Sequence, residues 1–188
     1  MALKATIHKA ELEIVDMDSN YYAMHRLTLA CHPSETGERL MVRLLAFALN
    51  AHERLEFGKG ISDSDEPDLW RKDLTGEIEL WIELGHPDEK LLAKAIGRSP
   101  LVKVYTYSAN PHLWWDPIKR RFEGEKKLSI FHITAGSAKD LARLAASSMS
   151  LQCSIQDGEI WFRDDKEGAV RIEMEEAESD RKRGQKET

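Results

Sequence analysis

An alternating run at residues 78 to 84 is the feature that most constrains the fold. Apolar residues at even positions alternate with two glutamates and a tryptophan, in the order Ile78, Glu79, Leu80, Trp81, Ile82, Glu83, Leu84. A period of two predicts a β-strand with an apolar core face and a second face that carries carboxylates. The simplest interpretation of the second face is that it meets solvent, as in a half-buried sheet.

The composition is that of a globular protein, with 41% hydrophobic and 32% charged residues in 188. We expect one domain over residues 1–176 and a charged, disordered tail over 177–188. The net charge of −6 argues against simple coating of nucleic acid. The chain begins with charges where a signal peptide is apolar and has no run of about 18 apolar residues. It is therefore predicted to be cytoplasmic, with no membrane contact and with Cys31 and Cys153 as free thiols.

The flanking patterns predict a mixed α/β (α+β) domain. An Asp157-Gly158 pair between two alternating runs predicts a type I′ hairpin, and Pro87 near the start of a helical pattern predicts a helix start. The segment from 78 to 107 has the order of a βαβ crossover. We expect an antiparallel layer from the N- and C-terminal strands beside the mixed sheet. The predicted strands are 3–15, 21–31, 69–71, 78–84, 101–107 and 128–134, with the two runs that flank Asp157-Gly158 and a third strand through Val170, Ile172 and Met174. The predicted helices are 35–54, 88–96 and 137–148.

Several enzyme classes are excluded by missing motifs. The sequence has no GxxxxGK[ST] loop, no GxGxxG, no GxSxG elbow and no HExxH. Its seven histidines show no zinc-ligand spacing with either cysteine. ATPases, dinucleotide-binding enzymes, serine hydrolases of this type and zincins are therefore set aside.

Carboxylates cluster if the turn at 73–76 folds residues 66–71 back on the strand. Centring the hairpin there places Asp68 opposite Trp81, with Glu66, Glu79 and Glu83 on the same face. Glu79 and Glu83 lie about 13 Å apart along the strand, so they cannot share one ion. Asp68 is diagonal to both at about 7 to 8 Å, which predicts a Mg²⁺ or Mn²⁺ cradle from Asp68 with Glu83 or Glu79.

Six separated pieces make the sequence resemble the YaeQ family. They are His32-Pro33-Ser34-Glu35-Thr36, Asp65-Glu66-Pro67, Leu80-Trp81-Ile82-Glu83-Leu84-Gly85, Tyr105-Thr106-Tyr107, Trp114-Trp115 and Ile155-Gln156-Asp157-Gly158. The resemblance implies a divergent PD-(D/E)xK nuclease-like core of the order αβββαβ. It also implies metal-assisted phosphodiester hydrolysis.

The resemblance assigns roles to particular residues. Asp68 would be the first metal-binding acid, Glu83 or less favourably Glu79 the second, and Glu38 a further carboxylate from the first helix. Nucleases of this type carry a lysine two residues after the second acid, but Trp81 and Gly85 occupy those positions. Lys94 on the next helix is the first candidate to replace it, and Lys103 is the second.

One basic stretch, Lys119, Arg120 and Arg121, is the strongest candidate for nucleic-acid contact, and Lys103 is a further one. A solvated loop is the alternative. The leading function is a Mg²⁺- or Mn²⁺-dependent nuclease. A catalytically inactive module that binds nucleic acid or a protein partner is the alternative, and the missing lysine favours it. An interaction protein with an acidic face toward a basic partner is a third.

Overall fold

The computed structural model describes residues 4–59, 65–166 and 168–177. They form an α+β domain of two mixed sheets and four helices. The predicted disordered tail lies almost entirely outside the described residues. None of the helices in the described part of the chain is long and apolar enough to span a membrane.

The smaller sheet is built from both ends of the chain. Its strand order is β10-β9-β8-β1-β2, and all neighbours are antiparallel except β1 and β8, which run parallel. The layer that was predicted to be antiparallel is thus a mixed sheet, because the β1–β8 pair is parallel. Asp157 and Gly158 have φ values of 52° and 76°, which confirms the predicted hairpin turn between β8 and β9. The strands are β1 (Thr6–Asp16), β2 (Tyr21–Cys31), β8 (Ser148–Gln156), β9 (Glu159–Asp164) and β10 (Ala169–Ile172).

The larger sheet has the order β11-β7-β6-β5-β4-β3. Strands β5, β6 and β7 run parallel, and the edges on both sides are antiparallel. The predicted βαβ crossover is confirmed, because α2 connects the parallel strands β5 and β6. The strands are β3 (Leu55–Phe57), β4 (Leu69–Lys72), β5 (Ile78–Leu84), β6 (Val102–Thr106), β7 (Leu128–Ile133) and β11 (Met174–Glu176), and the helices are α1 (Gly37–Leu49), α2 (Glu89–Arg98), α3 (Pro111–Ile118) and α4 (Ala135–Ala142).

Helix α1 is buried on all sides and belongs to the main core. Every residue from Leu40 to Ala48 is buried, including Arg43. The core around α1 takes residues from both sheets, so the helix contributes to the layer between them. The helix begins after Thr36, whose hydroxyl accepts from the Arg39 amide at 3.2 Å. It is shorter than the predicted 35–54.

The second face of β5 is covered at Trp81 and Glu83, so the interpretation that it meets solvent was wrong for these two residues. Trp81 is fully buried and Glu83 is 6% exposed. A second core covers this face, formed by Leu92 and Ala95 of α2 with Val102 and Val104 of β6 and further apolar residues. The physical reason is the crossover: parallel strands carry helices on their faces and are buried on both sides.

Candidate active site

The register of β4 and β5 places Asp68 abreast of Glu83. Trp70 pairs with Trp81 and Leu69 with Ile82, so Asp68, one residue before β4, continues the pairing to Glu83. The predicted register, with Asp68 opposite Trp81, is wrong by two residues.

Two single-residue shifts produce this difference. The turn closes through a hydrogen bond of 2.8 Å from the Asp73 amide to the Glu77 carbonyl, one residue later than predicted. A bulge between Arg71 and Lys72 adds the second shift. Bulges leave little trace in an alternating pattern, which is why the sequence did not reveal this one.

Asp68 is 3% exposed and fully engaged. Its Oδ1 accepts from Nη2 of Arg39, and its Oδ2 accepts from the Leu84 amide at 2.8 Å. Nη1 of Arg39 also donates to the Leu84 carbonyl at 3.3 Å. The guanidinium of Arg39 therefore bridges a carboxylate oxygen and a main-chain oxygen. Burial raises the pKa of Asp68, while Arg39 and the Leu84 amide oppose that rise.

Glu83 is the second buried acid of the site. Its Oε1 accepts from Nε1 of Trp81 at 2.7 Å. Burial, and then the neighbouring charge of Asp68, raise the pKa of Glu83 to about 7, whereas Arg39 and Lys94 act in the opposite direction. A buried carboxyl group whose pKa is raised by burial and by a second buried carboxylate is a common feature of functional sites.

Lys94 of α2 lies close enough for its charge to act on Glu83, and its role as the replacement lysine stays a prediction. Its ammonium lies 2.5 Å from Oδ1 of Asp65, and its charge acts on Glu83. Lys94 is therefore within electrostatic range of Glu83.

Two predicted acids are not brought to this pair. Glu79 lies at the other end of β5, where it forms ion pairs with Arg71 at 2.9 Å and Arg54 at 3.3 Å. Glu38 is in the first turn of α1, but the neighbouring Arg39 is the residue of that turn that contacts Asp68. Of the two predicted pairings, the structure brings together Asp68 and Glu83 and leaves Glu79 apart from Asp68.

Arg39 is the functional residue that sequence reasoning missed. A faint signal exists, because the first turn of a helix favours acids over a basic residue. Glu35 links Arg39 to a second arginine, because its Oε1 lies 4.0 Å from Nε of Arg39 and 3.1 Å from Nη1 of Arg43. The contact between Arg39 and Asp68 joins residues 29 positions apart, so it can be recognised only in the three-dimensional structure.

Polar side chains also line the carboxyl ends of the parallel strands, near Glu83. His86 and the Ser108 hydroxyl are 3.0 Å apart, and Thr106 and Nδ1 of His132 are 2.9 Å apart. Burial lowers the pKa of both histidines, which favours their neutral forms. In α/β sheets this edge is the usual place for ligands.

The basic stretch does not form one patch with Lys103. Lys119, Arg120 and Arg121 lie in a 3₁₀ turn beside the second core, and Arg121 is paired with Glu89. Lys103 lies on the opposite face of the larger sheet and donates to Asn50. The basic stretch and Lys103 are therefore separated by the larger sheet, and contact of either with nucleic acid remains a prediction.

The residues present fit a lightly held Mg²⁺ rather than an all-protein cage. Among the described residues, no group of three or more His, Cys, Asp or Glu is arranged to hold a metal ion. Mg²⁺ commonly uses only one or two carboxylates, with water and substrate phosphate completing its shell. Asp68, Glu83 and the Leu84 carbonyl meet that smaller requirement once Arg39 releases Oδ1 of Asp68.

The fold and the site define a class: a two-sheet α+β protein with a buried acid pair at the carboxyl edge of its parallel strands. The sequence matches the family profile described as YaeQ protein over residues 1–174. The chain belongs to the YaeQ family.

Individual relatives agree with this assignment. The YaeQ protein of Escherichia coli K12 is 44% identical over 168 residues, covering 88% of this chain and 92% of that protein. The crystal structure of YaeQ from Xanthomonas axonopodis pv. citri has a TM-score of 0.89 and 45% identity, covering 94% of this chain and 99% of that one. That of YaeQ from Pseudomonas syringae has a TM-score of 0.88 and 31% identity, covering 93% and 97%.

Proposed function

We propose that this protein is a Mg²⁺- or Mn²⁺-dependent phosphodiester hydrolase of the PD-(D/E)xK nuclease-like type. The observation that carries the proposal is the pair of buried carboxylates, Asp68 and Glu83, beside the main-chain oxygen of Leu84. The order α1, antiparallel β3-β4-β5, α2 and parallel β6 supports the superfamily assignment, because it reads αβββαβ.

Asp68 and Glu83 would hold the cation, which when bound supplies a more acidic water and neutralises charge on the phosphate. Glu83 must be deprotonated to serve as a ligand. With its pKa near 7, cation binding strengthens as the pH rises from 6 to 8.

The two basic residues have separate roles in this proposal. Lys94, within electrostatic range of Glu83, orients the attacking water in place of the missing lysine. Arg39, on releasing Asp68, presents a planar set of donors that suits two phosphate oxygens. Both residues lie at the edge where the parallel strands end.

The test is cleavage of labelled single-stranded and duplex DNA and RNA at pH 8 with Mg²⁺ or Mn²⁺. We expect EDTA, Asp68→Asn and Glu83→Gln each to abolish cleavage. Glu79→Gln is the matched control, because Glu79 lies on the same strand but is engaged by arginines away from the pair. Absence of metal-dependent cleavage of all four substrates, or equal cleavage by Asp68→Asn, would contradict the proposal.

A second candidate function is a catalytically inactive nucleic-acid-binding module. It is favoured by the Arg39 guanidinium, which takes the place of a cation between Asp68 and Leu84, and by the missing lysine. In this case nucleic-acid binding by filter retention persists in EDTA and in Glu83→Gln, and no substrate is cleaved. Loss of binding in EDTA would exclude this candidate.

A further inference from the structure

A cavity of about 420 Å³ opens at the carboxyl end of α1, far from the acid pair. It lies between that end, the turn joining β1 to β2, and the face of the larger sheet that packs on α1. Its polar lining includes Asp16, Tyr21, Asn50, Arg71 and Lys103. This volume falls within the range of about 300 to 1,000 Å³ that small-molecule sites occupy.

Two cationic side chains reach this cavity from strands on either side of β5. Arg71 of β4 pairs with Leu80, and Lys103 of β6 pairs with Ile82. Leu80 and Ile82 belong to the face of β5 directed at the main core, so cross-strand neighbours share that face. Leu80, between the two cations, supplies part of the apolar floor.

Lys103 is a half-buried cation whose hydrogen-bond partner is neutral. Its Nζ lies 2.6 Å from Oδ1 of Asn50. The Asn50 amide is fixed by two bonds of 2.8 Å from Nδ2, to the Ala46 carbonyl and the Tyr105 hydroxyl. Burial and the like charge of Arg71 lower the pKa of Lys103, and the charge of Glu176 opposes them without reversing the shift. An anion beside the two side chains would relieve both effects.

Asp16, the acid that lines the cavity, and Glu79, the acid beside Arg71, are already engaged. Asp16 accepts from the amides of Asp18 and Ser19 at 3.0 Å and from the Ser19 hydroxyl at 2.6 Å. Glu79 is held by Arg54 and by Nε of Arg71. Within the described ranges, the Nη atoms of Arg71 make no hydrogen bond to protein. The cavity therefore has two cationic groups with donor capacity left for a ligand.

We infer that this cavity binds a small ligand bearing a phosphate or carboxylate oxyanion, with Lys103 and Arg71 as its anion-binding residues. The site is separate from the proposed function, because Arg39 and Asn50 lie about 16 Å apart along α1. The ligand would be a metabolite rather than a polymer, because the cavity is bounded by the β1–β2 turn and the helix end.

The experiment is calorimetry at pH 7.5 in EDTA, with inorganic phosphate, pyrophosphate and succinate as separate probes. We expect at least one oxyanion to bind with millimolar or tighter affinity. Binding of the phosphates alone identifies a phosphorylated ligand, and binding of succinate alone identifies a carboxylated one. Failure of all three probes would overturn the inference.

Variants locate the binding. Lys103→Met and Arg71→Gln should each weaken affinity about tenfold or more, because each removes a charged hydrogen bond to the anion. Lys139→Met, at an exposed position on α4, is the charge-matched control and should bind as the wild type does. Asp68→Asn should also leave binding unchanged, which separates this site from the acid pair.

Nuclear magnetic resonance gives a second readout that does not depend on a variant folding well. The side-chain amide of Asn50 should shift on titration with the bound oxyanion. The inference is wrong if the Asn50 amide resonance does not shift, or if Lys103→Met binds the oxyanion as tightly as the wild type. In either case Lys103 only donates to Asn50 at the carboxyl end of α1.

Discussion

The two ends of α1 carry opposite charge and differ in how their charges are matched. At the amino end, Asp68 and Glu83 lie within a few per cent of full burial, and Asp68 is paired with Arg39. At the carboxyl end, Lys103 and Arg71 face an open cavity. Both arrangements complement the helix dipole, which favours anions at the amino end and cations at the carboxyl end.

The comparison shows where burial makes charge costly. The acid pair is inside the protein. Burial therefore raises the pKa of Glu83, and the charge of Asp68 is matched by Arg39. The basic pair, Lys103 and Arg71, has access to solvent, so water or a ligand can accept hydrogen bonds from it. Substitutions should therefore have larger effects at the amino end than at the carboxyl end.

The largest effect is expected for Asp68→Ala. The change leaves the largely buried Arg39 guanidinium, whose side chain is 17% exposed, and the Leu84 amide without their acceptor, which should cost about 3 to 5 kcal/mol of unfolding free energy. Urea denaturation measures it. Asp116→Ala, at an exposed position on α3, should change stability little. Equal effects of the two substitutions would show that the amino end is not an internally matched site.

Glu83→Gln should remove a pH dependence of stability. The pKa of Glu83 is about 7 in the folded protein against an ordinary value of 4.5, so the folded state holds this proton more tightly. Glu83 therefore contributes its full stabilisation to the free energy of unfolding below pH 4.5. This contribution, about 3 kcal/mol, is lost as the pH rises through 7. Denaturation at pH 5 and pH 8 should show this fall in the wild type and not in Glu83→Gln. Parallel curves for the two proteins would contradict the raised pKa.

Gly85→Ala should destabilise the amino end by about 1 to 2 kcal/mol. Gly85 has a φ of 83°, and an added Cβ would meet Nη1 of Arg39 at 3.7 Å, an ordinary contact. Backbone strain is therefore the cause, and Gly97→Ala on α2, where a Cβ meets open space, is the control. A thermal unfolding midpoint for Gly85→Ala at or above the wild-type value would rule out this strain.

Lys103→Met should have the smallest effect, a loss of about 1 kcal/mol in the absence of ligand. The bond to Asn50 is lost, but a half-buried cation is removed as well, and the two changes partly offset each other. Urea denaturation of this variant and of Lys139→Met measures it. A loss of unfolding free energy as large as that of Asp68→Ala would show that the charges at the carboxyl end depend on internal partners as much as those at the amino end.

Much of the fold could be predicted because it is written in local periodicity. The alternation of residues 78 to 84, the Asp157-Gly158 turn and the βαβ crossover all appear in the structure. The parallel pairing of β1 with β8 could not be predicted, because it joins residues more than 130 positions apart and leaves no local pattern.

The site was predicted in part. Asp68 and Glu83 were identified, but their register depended on a bulge at Arg71 and Lys72 that alternation does not reveal. The second face of β5 was taken for a solvent face because glutamates usually mark one. Helix α2 and its neighbours cover it instead, and Arg39 enters the site from α1, which belongs to the main core.

The most direct test of the acid pair as a cation site is a crystal soaked in Mn²⁺ at pH 8, with anomalous diffraction collected above the manganese edge. We predict a peak between the carboxylates of Asp68 and Glu83, with the Arg39 guanidinium moved off Oδ1 of Asp68. A map with no peak there and Arg39 still bridging Asp68 and Leu84 would contradict the proposal that this pair binds a catalytic cation.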